Sequence, residues 1–230
     1  VQATLLAMLS QEPAHDTWLA DEQPTAEVFA WCEHHGVRLS SRAGVEAYHR
    51  SSWPRRTRCK EGNLAYFYDH HGYANYDVVV QLDADHVPQP GYLTAMLQPF
   101  HDPGTTSWVA RGRLFAEAIL HGPIQLGFNG GWAPLCFGSH YAVRTRALQQ
   151  AGGLGPELAE DHSTTLLLNA AGWRGAFADR AICHGLGPET FEDAMVQEFQ
   201  WSRSLMTILL RHLAPVFGQL PPLLRIQFLY

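Results

Sequence analysis

The sequence predicts an α/β layer fold with a mostly parallel sheet flanked by helices, and three observations carry that reading. Helix-type and strand-type patterns alternate along the chain. The strongest strand pattern, Tyr76 to Leu82, is β-branched and almost wholly apolar, as expected of a central strand covered on both faces. Directly after it stands Asp83-Ala84-Asp85, an acidic turn at the carboxyl end of that strand, where open α/β sheets bind their ligands.

The elements follow in order. Val1 to Leu9 has helical spacing, and Thr17-Trp18-Leu19-Ala20 reads as a short strand halted by Asp21-Glu22-Gln23-Pro24. Thr25 to His35 reads as a helix, with Thr25 as N-cap and Gly36 as C-cap. Val37-Arg38-Leu39 is a second short strand, and Gly62 to Gly72 a helix with Leu64 to Tyr68 as its apolar body. Pro90 to Phe100 continues as helix, and Trp108 to Arg113 and Gly138 to Arg144 as strands. Arg146 to Ala151 is a short helix closed by Gly152-Gly153, and Asp161 to Ala171 a longer one closed by Gly172. Residues 176–178 and 181–183 read as edge strands, and Phe191 to Leu213 as a long helix ended by Pro215. Residues 114–135 fit neither period, and no internal repeat or low-complexity linker is visible.

Bulk properties narrow the function. The 230 residues suffice for one sizeable core. A formal charge of −6 argues against nucleic acid as a partner. The densest basic run, Arg55 to Lys60, is either a solvated loop or a surface for an anionic ligand. Cys32, Cys59, Cys136 and Cys183 are scattered without metal spacing, which suits free thiols in a reducing compartment. The histidine pairs 34–35 and 70–71 read as surface residues. No secretory signal and no run of 18 apolar residues occurs. The chain opens inside a helix and closes in an apolar run, Leu220 to Tyr230, so a larger parent, membrane-embedded on the C-terminal side, is the expectation.

Five places carry possible chemistry. Asp83 and Asp85, one residue apart in a turn, can converge on a hard cation such as Mg²⁺ or Mn²⁺, or can cap the next helix. Asp161 opens a helix after Glu160, either as N-cap or as a fixed general base. Asp21 ends an early strand at the same sheet edge, as a turn residue or a ligand contact. Lys60-Glu61-Gly62-Asn63 starts a helix after a basic loop, and a helix start with a lysine suits phosphate. Gln197 and Trp201 share a helix, where the indole is either core or a platform for a sugar ring.

In their order these segments resemble family-2 inverting glycosyltransferases of the cellulose, chitin and hyaluronan synthase kind. The segments are Trp18 to Glu22, Cys59 to Leu64, Leu82 to Pro88, Cys136 to Ser139, Ala159 to Asp161, Ala171 to Arg174 and Gln197 to Trp201. His86-Val87-Pro88 after the D-x-D leans toward the cellulose synthase branch. The resemblance implies a GT-A (Rossmann-like) fold and transfer of a sugar from a UDP-sugar donor to a glycan acceptor. It implies that Asp21 and Asp83 contact the nucleotide, Lys60 approaches the diphosphate and Asp85 binds the metal. It makes Asp161 the catalytic base, with Gln197 flanking the diphosphate and Trp201 stacking on the acceptor. It also implies a catalytic domain over 1–201 and an amphipathic interface region over 202–230, on the cytoplasmic side of an inner or plasma membrane.

The sequence departs from that pattern in three places. The family's first strand, with its T-Y-N-E-like motif, is absent; Ala159 replaces the Thr of T-E-D; and Gln200 replaces the Arg of Q-x-x-R-W. Glutamine cannot supply the fixed positive charge of a guanidinium. Two rival readings are therefore a degenerate transferase domain acting as a scaffold and a D-x-D phosphohydrolase, the latter lacking the threonine two residues beyond Asp85.

Overall fold

The computed structural model describes residues 1–101, 120–136, 140–181, 183–184 and 191–229. The strand expected over 108–113 and residues 137–139 lie outside them. Helix α1 (Gln2–Leu9) leads to strand β1 (Trp18–Ala20), helix α2 (Ala26–His35) and strand β2 (Arg38–Ser40). β1 and β2 pair in parallel, with Leu19 opposite Leu39. The crossover helix α2 has both expected caps. The Thr25 hydroxyl accepts from the Val28 amide at 3.3 Å, and Gly36 turns the chain out at φ 71°. Leu5, Cys32 and Val37 form the apolar cluster joining these elements.

Helix α3 (Lys60–Phe67) runs on through a π turn, Tyr68–Gly72, into Tyr73–Asn75. Strand β3 (Val78–Leu82), strand β4 (Val87–Pro88) and helix α4 (Tyr92–His101) follow. Then come β5 (His140–Arg144), α5 (Thr145–Ala151), α6 (Glu160–Ala170), β6 (Cys183–His184), α7 (Phe191–Thr207) and α8 (Pro222–Leu229). β3 pairs antiparallel with β5, Val80 opposite Ala142, and β4 pairs antiparallel with β6. The α/β class holds, but the pairing is mixed, with one parallel and two antiparallel ladders among the described residues. β3 and β5 are separated by α4 and a long further segment rather than by one helical crossover, so the rule that makes βαβ units parallel does not bind them. Among the described residues, one edge of β3 carries a partner strand, and the residues of β3 are half-buried apart from buried Gln81.

Two more expectations change. Residues 176–178 form no strand, because the Phe177 backbone is satisfied by a side chain: its N–H donates to Asn129 Oδ1 at 2.7 Å and its carbonyl accepts from Asn129 Nδ2 at 3.1 Å. The long C-terminal helix passes Pro215. After α7 a π turn, Ile208–His212, leads into Leu213–Val216, and the helical run stops before Pro221. Ile208, Leu213, Leu220 and Leu224 are buried with Ala133, Ala159 and Leu166, so the C-terminal helices share a core with the start of α6. Among the described residues, no helix is long and apolar enough to cross a membrane.

Candidate functional site

The site begins with a loop that holds α3 in place. Arg42 is fully buried. Its guanidinium donates to the carbonyls of Tyr48, Arg56 and Cys59, and pairs with Glu22 at 3.0 Å. From the other side, buried Glu61 accepts from the amides of Arg55 and Arg56 at 2.8 and 3.0 Å. A Cβ on Gly62 would collide with the Arg56 carbonyl oxygen and the Arg42 guanidinium, so this turn of α3 requires glycine. The first residue of α3, Lys60, is thereby fixed against the end of β1, where Asn63 Nδ2 donates to the Ala20 carbonyl at 2.9 Å.

Lys60 Nζ donates to Asp83 Oδ1 at 2.5 Å and lies 3.7 Å from Glu160 Oε1. One ammonium therefore joins the end of β3 to the start of α6. Glu160 is buried, and burial first of all pushes its carboxyl up to about 7; the charges of Asp161 and Asp83 add to this, while Lys60 opposes it. Beyond the ion pair, Glu160 Oε1 has no hydrogen bond among the described residues. The ligand atoms of Asp83, Asp85 and His86 lie within 4.8 Å of one another. His86 Nδ1 is 3.0 Å from Asp85 Oδ1. Burial raises the Asp85 carboxyl, but the bond and charge of His86 outweigh it and hold the group below its ordinary value. Two carboxylates and an imidazole form a donor set that fits a divalent ion of the Mn²⁺ or Mg²⁺ type, with Asp85 exposed.

Lys60, Asp83 and the Glu160-Asp161 start of α6 thus come together, with Asp85 beside Asp83. Asp161 lies in the first turn of α6 rather than at its cap, which is Ala159, and its Oδ1 accepts from the His162 amide at 2.8 Å. Asp21 follows Ala20 at the end of β1, with its carboxylate on the Gln23 amide at 2.9 Å, and no described contact ties it to the acidic cluster. Gln197 and Trp201 are exposed on α7. Ser204, three residues beyond Trp201, accepts from the Ala159 amide at 2.8 Å, which brings this face of α7 to the start of α6.

The sequence signature of glycosyl transferase family group 2 matches residues 78–230, about two thirds of the chain. The chain belongs to that family. It is 29% identical over 175 residues to the cellulose synthase 1 catalytic subunit [UDP-forming] of Komagataeibacter xylinus, an alignment covering 67% of this chain and 23% of that protein. It is 28% identical over 152 residues to the cellulose synthase catalytic subunit [UDP-forming] of Xanthomonas axonopodis pv. citri, covering 57% of this chain and 21% of that one. The chain therefore spans about a quarter of the length of these relatives. Its fold matches the mannosyltransferase PcManGT from Pyrobaculum calidifontis, solved with GDP-Man and Mn²⁺, at a TM-score of 0.69 and 19% identity. That match covers 99% of this chain and 64% of the other, and gives the family-2 glycosyl transferase a GT-A fold.

Sequence reasoning passed over three residues of this glycosyl transferase. Glu160 was visible only as the neighbour of Asp161, although an acid that starts a helix behind Gly155-Pro156 is a candidate for burial. His86 adjoins the D-x-D directly, which is the signal that separates it from the other dispersed histidines. Arg42 left no signal, because its acceptors are backbone carbonyls supplied by the fold.

Proposed function

We propose that this glycosyl transferase moves a sugar from a UDP-sugar to a hydroxyl of a glycan acceptor with inversion at the anomeric carbon. The observation that carries the reading is the single lysine between Asp83 and Glu160, which draws the strand-end carboxylates and the start of α6 into one site. The acceptor oxygen attacks the anomeric carbon, its proton passes to Asp161, and the bond to the diphosphate breaks with its electrons leaving on UDP. One displacement needs one base, and general base catalysis of this kind contributes ~10²–10⁴-fold. Lys60 and the amino end of α3 bear on the diphosphate. Asp83, Asp85 and His86 would hold a divalent cation, which offsets the charge gathering on a leaving diphosphate. A uridine donor accords with the names of the cellulose synthase relatives, and Mn²⁺ with the ion in the mannosyltransferase complex.

Helix α7 supports the rest of the proposal. Met195, Phe199, Met206 and Leu210 fall on one stripe of this helical run and are exposed, Leu210 to 71%. Gln197, Trp201 and Ser204 fall on the opposite face, toward the start of α6. One face then serves the sugar acceptor, while the apolar stripe and the exposed apolar residues of 202–230, such as Ile226 and Leu229, lie on the cytoplasmic leaflet of a membrane.

The test is a donor screen with UDP-glucose, UDP-N-acetylglucosamine and GDP-mannose, with Mn²⁺ or Mg²⁺, scoring release of the nucleoside diphosphate and the anomeric configuration of any product. Inverted product from a UDP-sugar, absent in Asp161→Asn, is the expected result. A GDP-sugar donor or a retained configuration would overturn the donor or the mechanism. Nucleotide binding without transfer in the complete protein would favour the scaffold reading, which Gln200 supports.

A further inference from the structure

The loop of residues 41–59 joins the carboxyl end of β2 to the amino end of α3. Lys60, which follows it, reaches both Asp83 and Glu160, so the loop borders the acidic site. Elsewhere on the loop, Trp53 Nε1 donates to the Leu154 carbonyl at 3.0 Å. Leu154 opens the segment that leads to Asp161, and α6 grips that segment. The Gly155 amide donates to Thr164 Oγ1 at 2.8 Å, and Ser163 Oγ donates to the Pro156 carbonyl at 2.5 Å. Trp53 is therefore anchored on the approach to the proposed base, yet it is 40% exposed.

The loop is held in one shape. Arg50 and Arg56 are backbone bridge partners; the Arg50 amide donates to the Arg55 carbonyl at 3.0 Å, and the Thr57 amide to the Arg50 carbonyl at 2.8 Å. Arg55, at φ 66°, and Arg58, at φ 51°, both occupy the left-handed region, which is unfavourable for a residue with a side chain. Such conformations persist where the surroundings enforce them, and here buried Arg42 and Glu61 bind the same backbone. Bridge partners carry their side chains to one face, so the bridge sets two like charges side by side, an unfavourable pairing. Asp69 answers Arg55. Among the described residues, no carboxylate lies within ion-pair distance of Arg50, Arg56 or Arg58. Arg50 and Arg58 are exposed.

We propose that this loop is a subsite for an acidic glycan, with a sugar ring on Trp53 and the sugar carboxylates on Arg50, Arg56 and Arg58. An anchored indole offers a rigid apolar face to a ring. A guanidinium donates two parallel N–H groups to a carboxylate, with a geometry that a lysine lacks. A glycan presents rings and charges at fixed spacing, which is what a rigid, strained loop can match. A fluid lipid surface would call for neither the fixed backbone nor an indole N–H turned inward to Leu154. Calling this glycan the acceptor rests on the transfer reading above; the subsite itself rests on the loop.

The test is isothermal titration of an oligogalacturonate, and of a neutral cello-oligosaccharide of equal length, into three proteins. These are the wild type, Trp53→Ala, and a variant carrying both Arg50→Gln and Arg58→Asn. Asparagine is chosen at position 58 because it tolerates the left-handed backbone. The acidic oligomer should bind the wild type at least about tenfold more tightly than the neutral one, and the arginine variant should lose at least about tenfold of that affinity. Trp53→Ala should weaken the acidic oligomer as well. Neither Arg50 nor Arg58 makes a described side-chain hydrogen bond, so the arginine variant decides the matter even where Trp53→Ala fails to fold. Equal affinity for the two oligomers, or undiminished acidic binding in the arginine variant, would overturn the proposal. So would a parallel loss of UDP affinity in Mn²⁺, which would give the arginines to the donor diphosphate. Competition by inorganic phosphate at equal charge would reduce the loop to a general anion site and overturn it too. Sedimentation with phosphatidylglycerol vesicles, lost in the arginine variant and without glycan binding, would give the loop to a membrane instead. Acidic-glycan binding in a protein that transfers no sugar would sustain the subsite and count against the transfer reading alone.

Discussion

The two densest charge clusters of this chain meet opposite fates. In the basic run 55–60, Arg55 is paired with Asp69 at 2.8 Å and lies over the Tyr48 ring at 4.7 Å, and the loop backbone is held by Glu61 and Arg42. The charge of Arg55 there serves the fold, while Lys60, at the end of the run, turns to the acidic site. Around Asp83, Asp85 and Glu160, three carboxylates draw on one lysine and one histidine, and Glu160 is left with a raised carboxyl. An excess of buried or converging negative charge is stable only with a proton or a cation to answer it. Charge density in a sequence therefore says little about ligands; what matters is whether the fold already supplies the partners.

The largest expected effect lies on the acidic side. Asp161→Asn should lower transfer by ~10²–10⁴-fold and leave UDP affinity in Mn²⁺ unchanged, measured by turnover and calorimetry. Undiminished turnover would move the base elsewhere, Glu160 being the nearest carboxylate by sequence. On the basic side, Arg42→Met should cost about 3 kcal/mol of unfolding free energy, because it strips several buried acceptors of their donor at once. Thermal unfolding should then fall by roughly 6–12 °C. An unchanged midpoint would mean that the loop is held by something other than this guanidinium.

A smaller effect sharpens the contrast through pH. The folded Glu160 carboxyl titrates at about 7, against an ordinary value of 4.5. The folded state therefore holds this proton more tightly than the unfolded chain does. The stability it confers is full below pH 4.5, declines as pH rises toward 7, and is gone above it. Glu160→Gln removes that dependence. The variant should gain on the wild type between pH 5 and pH 8 by on the order of 2–3 kcal/mol, a shift of several degrees in melting temperature. A difference between the two that does not vary with pH would show that the carboxyl is not raised.

Much of this was legible from residues alone. The caps of α2, the strand before the D-x-D and the helix behind Glu160 were read correctly, because Thr25, Gly36 and the apolar run 78–82 act through local backbone preference. The pairing of β3 was not, because an antiparallel partner 62 residues on is a tertiary outcome, seen only when Val80 is found opposite Ala142. The edge strand expected at 176–178 failed for a similar reason, since a side-chain amide on a distant turn took its backbone groups. Within the site, Lys60 and Asp83 were named as separate candidates, but their direct contact through α3 and β3 is a product of the fold.

The central proposal is that Asp83 and Asp85 meet a nucleoside diphosphate through a divalent ion, with Lys60 bearing on the diphosphate directly. Isothermal titration of UDP into the wild type and Asp85→Ala, each with and without Mn²⁺, tests it most directly. The account predicts that Mn²⁺ raises UDP affinity at least about tenfold in the wild type, or ~1.4 kcal/mol, and has little effect in the variant. Equal Mn²⁺ dependence in both proteins would contradict it.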